Sequence, residues 1–323
     1  MAERTALLEE QPPWPAPRTA PADLPVRRPR QPGLARGLLR TARPRQWIKN
    51  VLVLAAPAAA GDLFRRDAVP QLALVFALFT SAAAAVYLVN DARDATADRA
   101  HPDKCRRPVA AGEVPVPLAY AVGGTLAALT PLAAAALCNA ATAGLIAAYI
   151  VLQLAYCIGL KHVLVIDLTV VTGGFLIRAM VGGLALGIPL SRWFLITAGF
   201  GALFMVAAKR YSEALHLASK RGATRALLRE YTEGYLRFVW QLAAGGAVLA
   251  YCLWAMESGG TAVSVLPWRQ LSMVPFILAV LRYAVFADRG TAGAPEDVLL
   301  RDRPLTAIGL VWIALYAMAV ADV

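Results

Sequence analysis

The stretch that decides the fold is PQLALVFALFTSAAAAVYLVNDARDATAD, residues 70–98, in which an apolar run ends in a row of acidic residues. A run of about 20 predominantly apolar residues is long enough to cross a bilayer as an α-helix. At its end, Asp91, Asp94 and Asp98 are spaced three and four residues apart, and Asn90 lies beside them. If the helix continues, these carboxylates share one face. The stretch therefore predicts a membrane helix that carries a polar site at one end.

The composition of the whole chain agrees with a membrane protein. Of its 323 residues, 59% are hydrophobic and 16% charged, and its mean hydropathy of +0.55 is too high for an ordinary soluble protein of this length. Because a helix satisfies its own backbone groups in lipid, the apolar runs predict an all-α bundle. Nine transmembrane helices are predicted, at about residues 47–62, 70–90, 115–137, 140–159, 164–187, 191–209, 234–256, 269–287 and 304–321.

Two regions outside the runs set the domain organisation and the orientation. Residues 1–42 are rich in Pro and Arg and predict a disordered cytoplasmic tail without a cleavable signal, leaving 43–323 as the membrane domain. Basic residues concentrate in the 91–114 and 209–233 loops, which places both loops and the N-terminus in the cytoplasm and the C-terminus outside. This distribution explains the net charge of +11 by topology in a plasma (inner) membrane, so no nucleic-acid partner is expected.

The cysteines and a glycine-containing segment favour packing roles. The four cysteines, Cys105, Cys138, Cys157 and Cys252, lack paired Cys-x-x-Cys spacing, which argues against a zinc site or a disulfide framework. Residues 183–187, Gly-Leu-Ala-Leu-Gly, have the small-xxx-small pattern that is typical of close helix packing.

The acidic row suits a hard divalent cation. Mg²⁺ prefers oxygen ligands and is usually held by one or two carboxylates together with substrate phosphates, so the row predicts a phosphorylated substrate. Asp91, Asp94, Asp98 and Asn90 are the candidate metal ligands, and Lys104 and Arg107 in the following loop would neutralise the remaining substrate charge. The alternative is a solvated loop whose charges only set the topology.

Further ionisable residues lie within or beside the apolar runs, where they are costly without a partner or a cavity. Arg178 is predicted either to bind a phosphate in a bidentate pair or to be the structural partner of a carboxylate. Asp167 is either a helix-terminal residue or a catalytic one, and Lys161 either a phosphate contact or a topology anchor. Tyr156 is expected to line the same cavity as Lys161, and Lys49 is expected to reach a bound phosphate from the first run.

A second polar cluster, Lys209-Arg210-Tyr211-Ser212-Glu213, ends the sixth run. Lys209 and Glu213 are four residues apart, but such a surface ion pair contributes only about 0.3–0.5 kcal/mol, so stability is a weak reason for it. The cluster follows the acidic row by four runs, which indicates two similar halves whose polar ends close over one site.

These motifs resemble those of the UbiA superfamily of intramembrane prenyltransferases over about residues 43–321. The resemblance is carried by Asn90-Asp91-x-x-Asp94-x-x-x-Asp98 and His101-Pro102-x-Lys104-x-x-Arg107-Pro108. It implies a helical bundle with a cytoplasmic polar cap above a lipid cavity. Most members carry a second Asp-x-x-x-Asp motif after the sixth helix, and this chain has Lys209-Arg210-Tyr211-Ser212-Glu213 there instead.

That departure, with Arg43-Pro44-x-Gln46-Trp47-x-Lys49-Asn50 and Gly174-Phe175-x-x-Arg178, resembles the phosphoribosyl-transferring branch of the superfamily. The resemblance implies Mg²⁺-dependent transfer of 5-phosphoribosyl from phosphoribosyl diphosphate to polyprenyl (decaprenyl) monophosphate, for cell-wall arabinan precursors. The expected catalytic residues are Asp91, Asp94, Arg178 and Glu213. Substrate binding is expected from Lys49, Asn90, Lys104, Arg107, Tyr156, Lys161, Lys209, Arg210 and Tyr211.

Two alternatives stay open: prenylation of an aromatic or quinone acceptor, and a transporter with acidic residues at its gate. Membrane lipid is an expected partner in every case, and homo-oligomerisation is left open.

Overall fold

The computed structural model describes residues 33–219, 230–257 and 266–321. Within these ranges the regular structure is helical and contains no strand. The α-helices are α1 (Leu34–Thr41), α2 (Ala55–Ala60), α3 (Ala68–Arg93), α4 (Ala95–Arg99), α5 (Val116–Leu137), α6 (Ala140–Ile158), α7 (Ile166–Ala185), α8 (Arg192–Ser219), α9 (Glu233–Met256), α10 (Trp268–Asp288), α11 (Pro295–Arg301) and α12 (Arg303–Ala321). Three 3₁₀ segments, Pro44–Leu54, Lys104–Arg106 and Leu160–His162, lie between them.

Eight of the described helices, α3, α5 to α10 and α12, are long and apolar enough to cross a membrane, so the chain is a multi-pass membrane protein. Each corresponds to one of the predicted runs. Side chains cap two of them at their first turns: Asn139 accepts from the Thr142 N–H at 2.8 Å before α6, and Thr232 accepts from the Tyr235 N–H at 3.1 Å before α9.

The first predicted run, 47–62, is not a transmembrane α-helix. Its residues form the 3₁₀ segment Pro44–Leu54 followed by the six-residue α2. A 3₁₀ helix rises about 2.0 Å per residue against about 1.5 Å for an α-helix, so the two together extend about 31 Å, close to the thickness of the hydrocarbon core. A ninth membrane crossing thus stays a prediction. The expected α-helix is corrected to a 3₁₀ segment followed by a short α-helix.

Glycines let this segment pack closely against α7. A Cβ on Gly182 would come within 2.0 Å of the Val53 carbonyl oxygen, and one on Gly183 within 2.8 Å of the Ala56 Cβ. Any side chain at position 182 would push the Pro44–Leu54 backbone away. The predicted packing role is thus confirmed for Gly183, whereas Gly187 follows the helix with φ 68° and has no neighbour at its Cβ position.

The buried side chains form two main clusters that share α7. One contains Phe79, Ile146 and Tyr149 and joins α3, α6 and α7 with the Pro44–Leu54 segment. The other contains Phe204, Trp240 and Tyr283 and joins α8, α9 and α10. The described helices therefore pack around two cores, and the similarity of the two halves stays a prediction.

The N-terminal boundary differs from the prediction. Helix α1 occupies 34–41, inside the segment predicted to be a disordered tail, and Arg40 forms an ion pair of 2.7 Å with Glu113. Residues 1–32 of the predicted tail lie outside the described residues. All four cysteines are free.

Candidate functional site at the helix ends

A first polar cluster forms where α3 ends. Asp91 is 2% exposed, and its Oδ1 accepts from Arg43 Nη2 at 2.6 Å and from Arg107 Nη1 at 3.2 Å. The same Arg107 Nη1 donates to Asp98 Oδ2 at 2.7 Å. Arg107 therefore bridges two of the three carboxylates predicted as metal ligands. Arg43, whose guanidinium also lies 4.7 Å from the centre of the Tyr87 ring, neutralises the charge of Asp91.

The third carboxylate has a different partner. Asp94 accepts from Lys161 Nζ at 3.0 and 3.2 Å, a contact between residues 67 positions apart. The prediction of one continuous helical face is corrected here, because α3 ends at Arg93 and Asp94 has φ −85° and ψ 2° before α4 begins. Asp91 and Asp98 stay on the side of Arg107, and Asp94 is held by Lys161.

A further predicted metal ligand, Asn90, and a predicted substrate contact, Lys104, lie at the edge of this cluster. Asn90 is half-buried and directly precedes Asp91. Lys104 is half-buried in the Lys104–Arg106 turn, whose start is fixed by the His101 ring: Nδ1 accepts from the backbone N–H groups of Asp103 and Lys104 at 3.2 and 3.3 Å.

The donor set fits a metal that arrives with a phosphate more closely than a resident ion. Among the described residues, no group of three or more His, Cys, Asp or Glu side chains is arranged to hold a metal ion. However, Mg²⁺ in proteins commonly takes one or two carboxylates and completes its coordination with substrate phosphates and water. Asp94, with 27% of its side chain exposed, and the neighbouring Asp91 provide such carboxylates.

A second polar cluster forms between the start of α7 and the C-terminal half of α8. Arg210 Nη1 donates to Glu213 Oε2 at 2.9 Å, and Arg210 Nε lies 3.5 Å from Asp167 Oδ2. The pair predicted between Lys209 and Glu213 is therefore wrong: Glu213 binds Arg210, three residues earlier, which is 7% exposed. Both carboxylates of this cluster are engaged by one arginine.

Asp167 also accepts a hydrogen bond from a residue that follows α8 in the chain. The Tyr231 hydroxyl donates to Asp167 Oδ1 at 2.5 Å. Burial and this hydrogen bond raise the pKa of Tyr231 well above its usual value, so the hydroxyl stays protonated and remains a donor at neutral pH. No side-chain cap is formed at the start of α7, so Asp167 belongs to this cluster and does not cap the helix.

Three other predicted residues surround the second cluster. Tyr156 has a buried hydroxyl without a hydrogen-bond partner in the described residues. Arg210 Nε, although it lies 3.5 Å from Asp167 Oδ2, makes no hydrogen bond there either. Lys209 is half-buried. Tyr211 faces the other way: it is 1% exposed, packs in the core of the second half, and its hydroxyl accepts from Arg237 Nη2 at 2.5 Å. Orphaned buried donors are costly, so Tyr156 and Arg210 are suited to meeting a bound ligand.

One short segment joins the two clusters. Residues 159–167 run from the end of α6 to the start of α7, and they place Lys161 against Asp94 and Asp167 against Arg210. The prediction that the two polar ends lie over one site gains support from these two contacts.

Arg178 lies elsewhere. Its Nε donates to Asn50 Oδ1 at 3.1 Å, its Nη1 to the Gly174 carbonyl at 2.9 Å, and its Nη2 to the Tyr149 hydroxyl at 2.8 Å. It is 7% exposed, with the rings of Phe79, Tyr149 and Phe175 between 5.0 and 5.4 Å from its Cζ. In the described part of the chain no carboxylate pairs with Arg178. The sequence suggested a carboxylate as its structural partner, whereas its observed partners are neutral groups.

The depth of Arg178 separates it from the polar clusters. On α7 it follows Asp167 by eleven residues, a rise of about 16 Å. On α3, Thr80, which bonds Asn50 at 3.0 Å, precedes Asp91 by the same interval. Both helices thus place Arg178 about half a bilayer below the carboxylates. Its predicted catalytic role stays a prediction, and its geometry favours support of the Pro44–Leu54 segment. Lys49 is half-buried on that segment, one residue before Asn50.

Two site residues were not selected from the sequence. Arg43 has a local signal, since it opens the Arg-Pro motif before the first run, and its φ of 56° directs the chain into the 3₁₀ segment. Tyr231 has none, because it meets Asp167 across 64 positions. Tyr149, a partner of Arg178, likewise became visible only through packing, whereas its other partner Asn50 belongs to the motif quoted from the sequence.

The helical arrangement and the polar clusters define a multi-pass membrane protein with a charged site at its helix ends, and residues 51–301 match the UbiA prenyltransferase family. The chain belongs to that family, which confirms the resemblance found in the sequence motifs.

Relatives identify a branch within the family. The decaprenyl-phosphate phosphoribosyltransferase of Mycobacterium tuberculosis is 53% identical over 293 residues, covering 89% of this chain and 95% of the relative. The protein of the same name from Corynebacterium glutamicum is 49% identical over 297 residues, covering 90% and 89%. Among solved structures, a UbiA homolog from Archaeoglobus fulgidus bound to GPP and Mg²⁺ has a TM-score of 0.63 at 18% identity, covering 89% of this chain and 100% of that one. This last similarity supports the fold.

Proposed function

We propose that the protein transfers the 5-phosphoribosyl group of phosphoribosyl diphosphate to decaprenyl phosphate or a similar polyprenyl phosphate, and releases diphosphate. The observation that carries this proposal is the second cluster, in which Arg210 engages both Glu213 and Asp167. Where most family members carry a second acidic pair, this chain has the cations Lys209 and Arg210 beside Glu213, and such cations suit a reaction that brings several phosphates together. The names of the relatives that match about nine-tenths of the chain support the same reaction.

The first cluster would bind the diphosphate of the donor. Asp91 and Asp94 would hold Mg²⁺, with Asn90 and Asp98 as direct or water-mediated ligands. Bound there, the ion would neutralise the charge that develops on the leaving diphosphate. Lys104 and Arg107 would contact the outer diphosphate oxygens.

The second cluster would bind the remaining anions and the ribose. Glu213 would accept hydrogen bonds from ribose hydroxyls, while Lys209 and Arg210 would contact the 5-phosphate or the lipid phosphate. Lys161 and Tyr156 lie between the clusters, where they would orient the reacting groups. These cations allow two multiply charged substrates to share one site.

The reaction would proceed by displacement at ribose C1. A lipid phosphate oxygen forms the new bond to C1 as the bond between C1 and the diphosphate oxygen breaks, with inversion. The product is polyprenyl-phosphoryl-5-phosphoribose, a precursor suited to cell-wall arabinan synthesis. The phosphate is already an anion, so no side chain need remove a proton, and protein cations have only to position it.

We infer that the site faces the cytoplasm across a plasma membrane. Phosphoribosyl diphosphate is a soluble, highly charged metabolite, and the basic loops at 91–114 follow the positive-inside rule. A cysteine-labelling experiment would test this, because Cys105 lies in the same loop as the first cluster. A membrane-impermeant thiol reagent should label it in inverted vesicles and leave it unlabelled in intact cells.

The test of function is transfer of label by purified protein. Ribose-labelled phosphoribosyl diphosphate, decaprenyl phosphate and Mg²⁺ should give label that extracts into organic solvent. Asp94→Asn should abolish this transfer, and the matched control Asp103→Asn, at an exposed position of the following loop, should retain it. Label that moves instead from a prenyl diphosphate to an aromatic acceptor would overturn the proposal in favour of prenyl transfer. Absence of both reactions would favour the transporter alternative.

A further inference from the structure

The segment that joins the two clusters contains a strained turn. Val165 has φ 68° and ψ −44°, and the Ile166 N–H donates to the Leu164 carbonyl at 2.7 Å, which closes a γ-turn around Val165. A positive φ is rarely adopted by a β-branched residue, and γ-turns of this hand are themselves rare and strained. Such a conformation persists only where the surrounding structure holds it in place.

A tyrosine hydroxyl binds the strained residue from outside its segment, in addition to local bonds from the Asp167 N–H to the Val163 carbonyl at 3.1 Å and from Thr169 Oγ1 to the Val165 carbonyl at 2.9 Å. The Val165 N–H donates to Tyr231 Oη at 2.6 Å, and the Tyr231 O–H donates in turn to Asp167 Oδ1 at 2.5 Å. Tyr231 is 8% exposed, and its ring stacks on that of Tyr235 at a centroid distance of 5.7 Å. By contrast, Leu164, Val165 and Ile166 are 38–48% exposed, so packing of their side chains contributes little to holding the backbone.

The turn determines where Lys161 lies. Lys161 lies four residues before Val165 in the same segment, and it is bound to Asp94 of the first cluster. Relaxation of Val165 to a negative φ would reorient the chain between Leu160–His162 and α7. The Lys161 amine would then be displaced from Asp94. Tyr231 has no described hydrogen bond or ion pair with the first cluster, so its effect there must pass through the segment.

We propose that Tyr231 is a positioning residue for the transfer reaction, which holds the strained turn at Val165 and thereby places Lys161 opposite Asp94. The kinetic part of this inference rests on the proposed function, whereas the structural part does not. Tyr231 itself needs no contact with substrate.

The kinetic experiment compares Tyr231→Phe with Tyr235→Phe, which removes a neighbouring hydroxyl from the same stack and keeps the ring. We expect Tyr231→Phe to raise the KM for phosphoribosyl diphosphate about tenfold, because one hydrogen-bond acceptor of the turn and one donor to Asp167 are lost. Tyr235→Phe should match the wild type. Glycine adopts a positive φ without steric cost, so Val165→Gly in the Tyr231→Phe background should recover most of the loss. A loss that Val165→Gly leaves unchanged would overturn the positioning role, as would unchanged kinetics in Tyr231→Phe.

A second measurement does not depend on activity. Amide hydrogen exchange of the wild-type protein in detergent should show a protected Val165 N–H in spite of the exposure of its side chain. In Tyr231→Phe the same amide should exchange about tenfold faster or more. A Val165 amide that exchanges freely in the wild type would refute the inference. If the Val165 amide is protected but the protein shows no phosphoribosyl transfer, the strained turn is supported and the proposed function is rejected. The two failures are therefore distinguishable.

Discussion

Replacing Arg178 by lysine separates a structural role from phosphate binding. The three guanidinium nitrogens donate to Asn50, Gly174 and Tyr149 at 2.8–3.1 Å. A lysine ammonium is a compact point charge, and it cannot reach three acceptors that are arranged around a planar fork. If it keeps one of the contacts, two hydrogen bonds from a charged donor are lost. Each contributes about 1.5–3 kcal/mol, so the free energy of unfolding should fall by about 3 kcal/mol or more.

The measurement is denaturant unfolding in mixed micelles, together with specific activity per folded molecule. We expect Arg178→Lys to be clearly less stable and its folded fraction to keep activity within about threefold of the wild type, since Arg178 lies about 16 Å from the carboxylates. The control is Arg192→Lys: its ion pair with Glu257 has an arginine side chain that is 71% exposed, so the cost should be below about 1 kcal/mol. An unchanged stability with activity reduced about 100-fold would refute this reasoning and restore Arg178 as a phosphate ligand.

The remaining predictions concern the polar clusters. Asp94→Asn should lower turnover at least about 100-fold without loss of folding, as measured by initial rates and thermal unfolding, because a site with few protein ligands loses one charge. Removal of divalent metal by EDTA should stop transfer, and Mg²⁺ should restore it; activity that survives chelation would contradict the assignment of the acidic row. Glu213→Gln should lower turnover about tenfold with an unchanged Mg²⁺ titration, whereas recovery at high Mg²⁺ would make Glu213 a metal ligand. Lys209→Ala should raise the KM for one of the two phosphorylated substrates, and an unchanged KM for both would remove it from the site.

Hydrophobic runs predicted eight of the described membrane helices closely, because lipid demands long apolar helices and leaves few other solutions. The same reasoning mistook the form of residues 47–62. Hydropathy measures length and apolarity, and it does not register that Gly182 allows the Val53 carbonyl to approach α7. The 3₁₀ conformation of the Pro44–Leu54 segment therefore depends on its packing against α7.

The acidic row and the basic loop residues identified the first cluster from local spacing alone. Spacing on an ideal helix could not show that the chain turns at Asp94 or that Arg107 bridges Asp91 and Asp98. It also suggested a pair between Lys209 and Glu213, whereas Arg210 is buried beside Asp167 and captures Glu213 instead.

The sequence by itself determined a helical membrane protein, its UbiA motifs and most of the charged residues of its site, because hydrophobic length and side-chain chemistry are properties of short segments. Only the tertiary structure decided which charges meet. The contacts of Asp94 with Lys161, of Asp167 with Tyr231 and of Arg178 with Asn50 join residues 67, 64 and 128 positions apart. Such pairings arise from helix packing, which brings distant buried polar groups together because each must find a partner away from water.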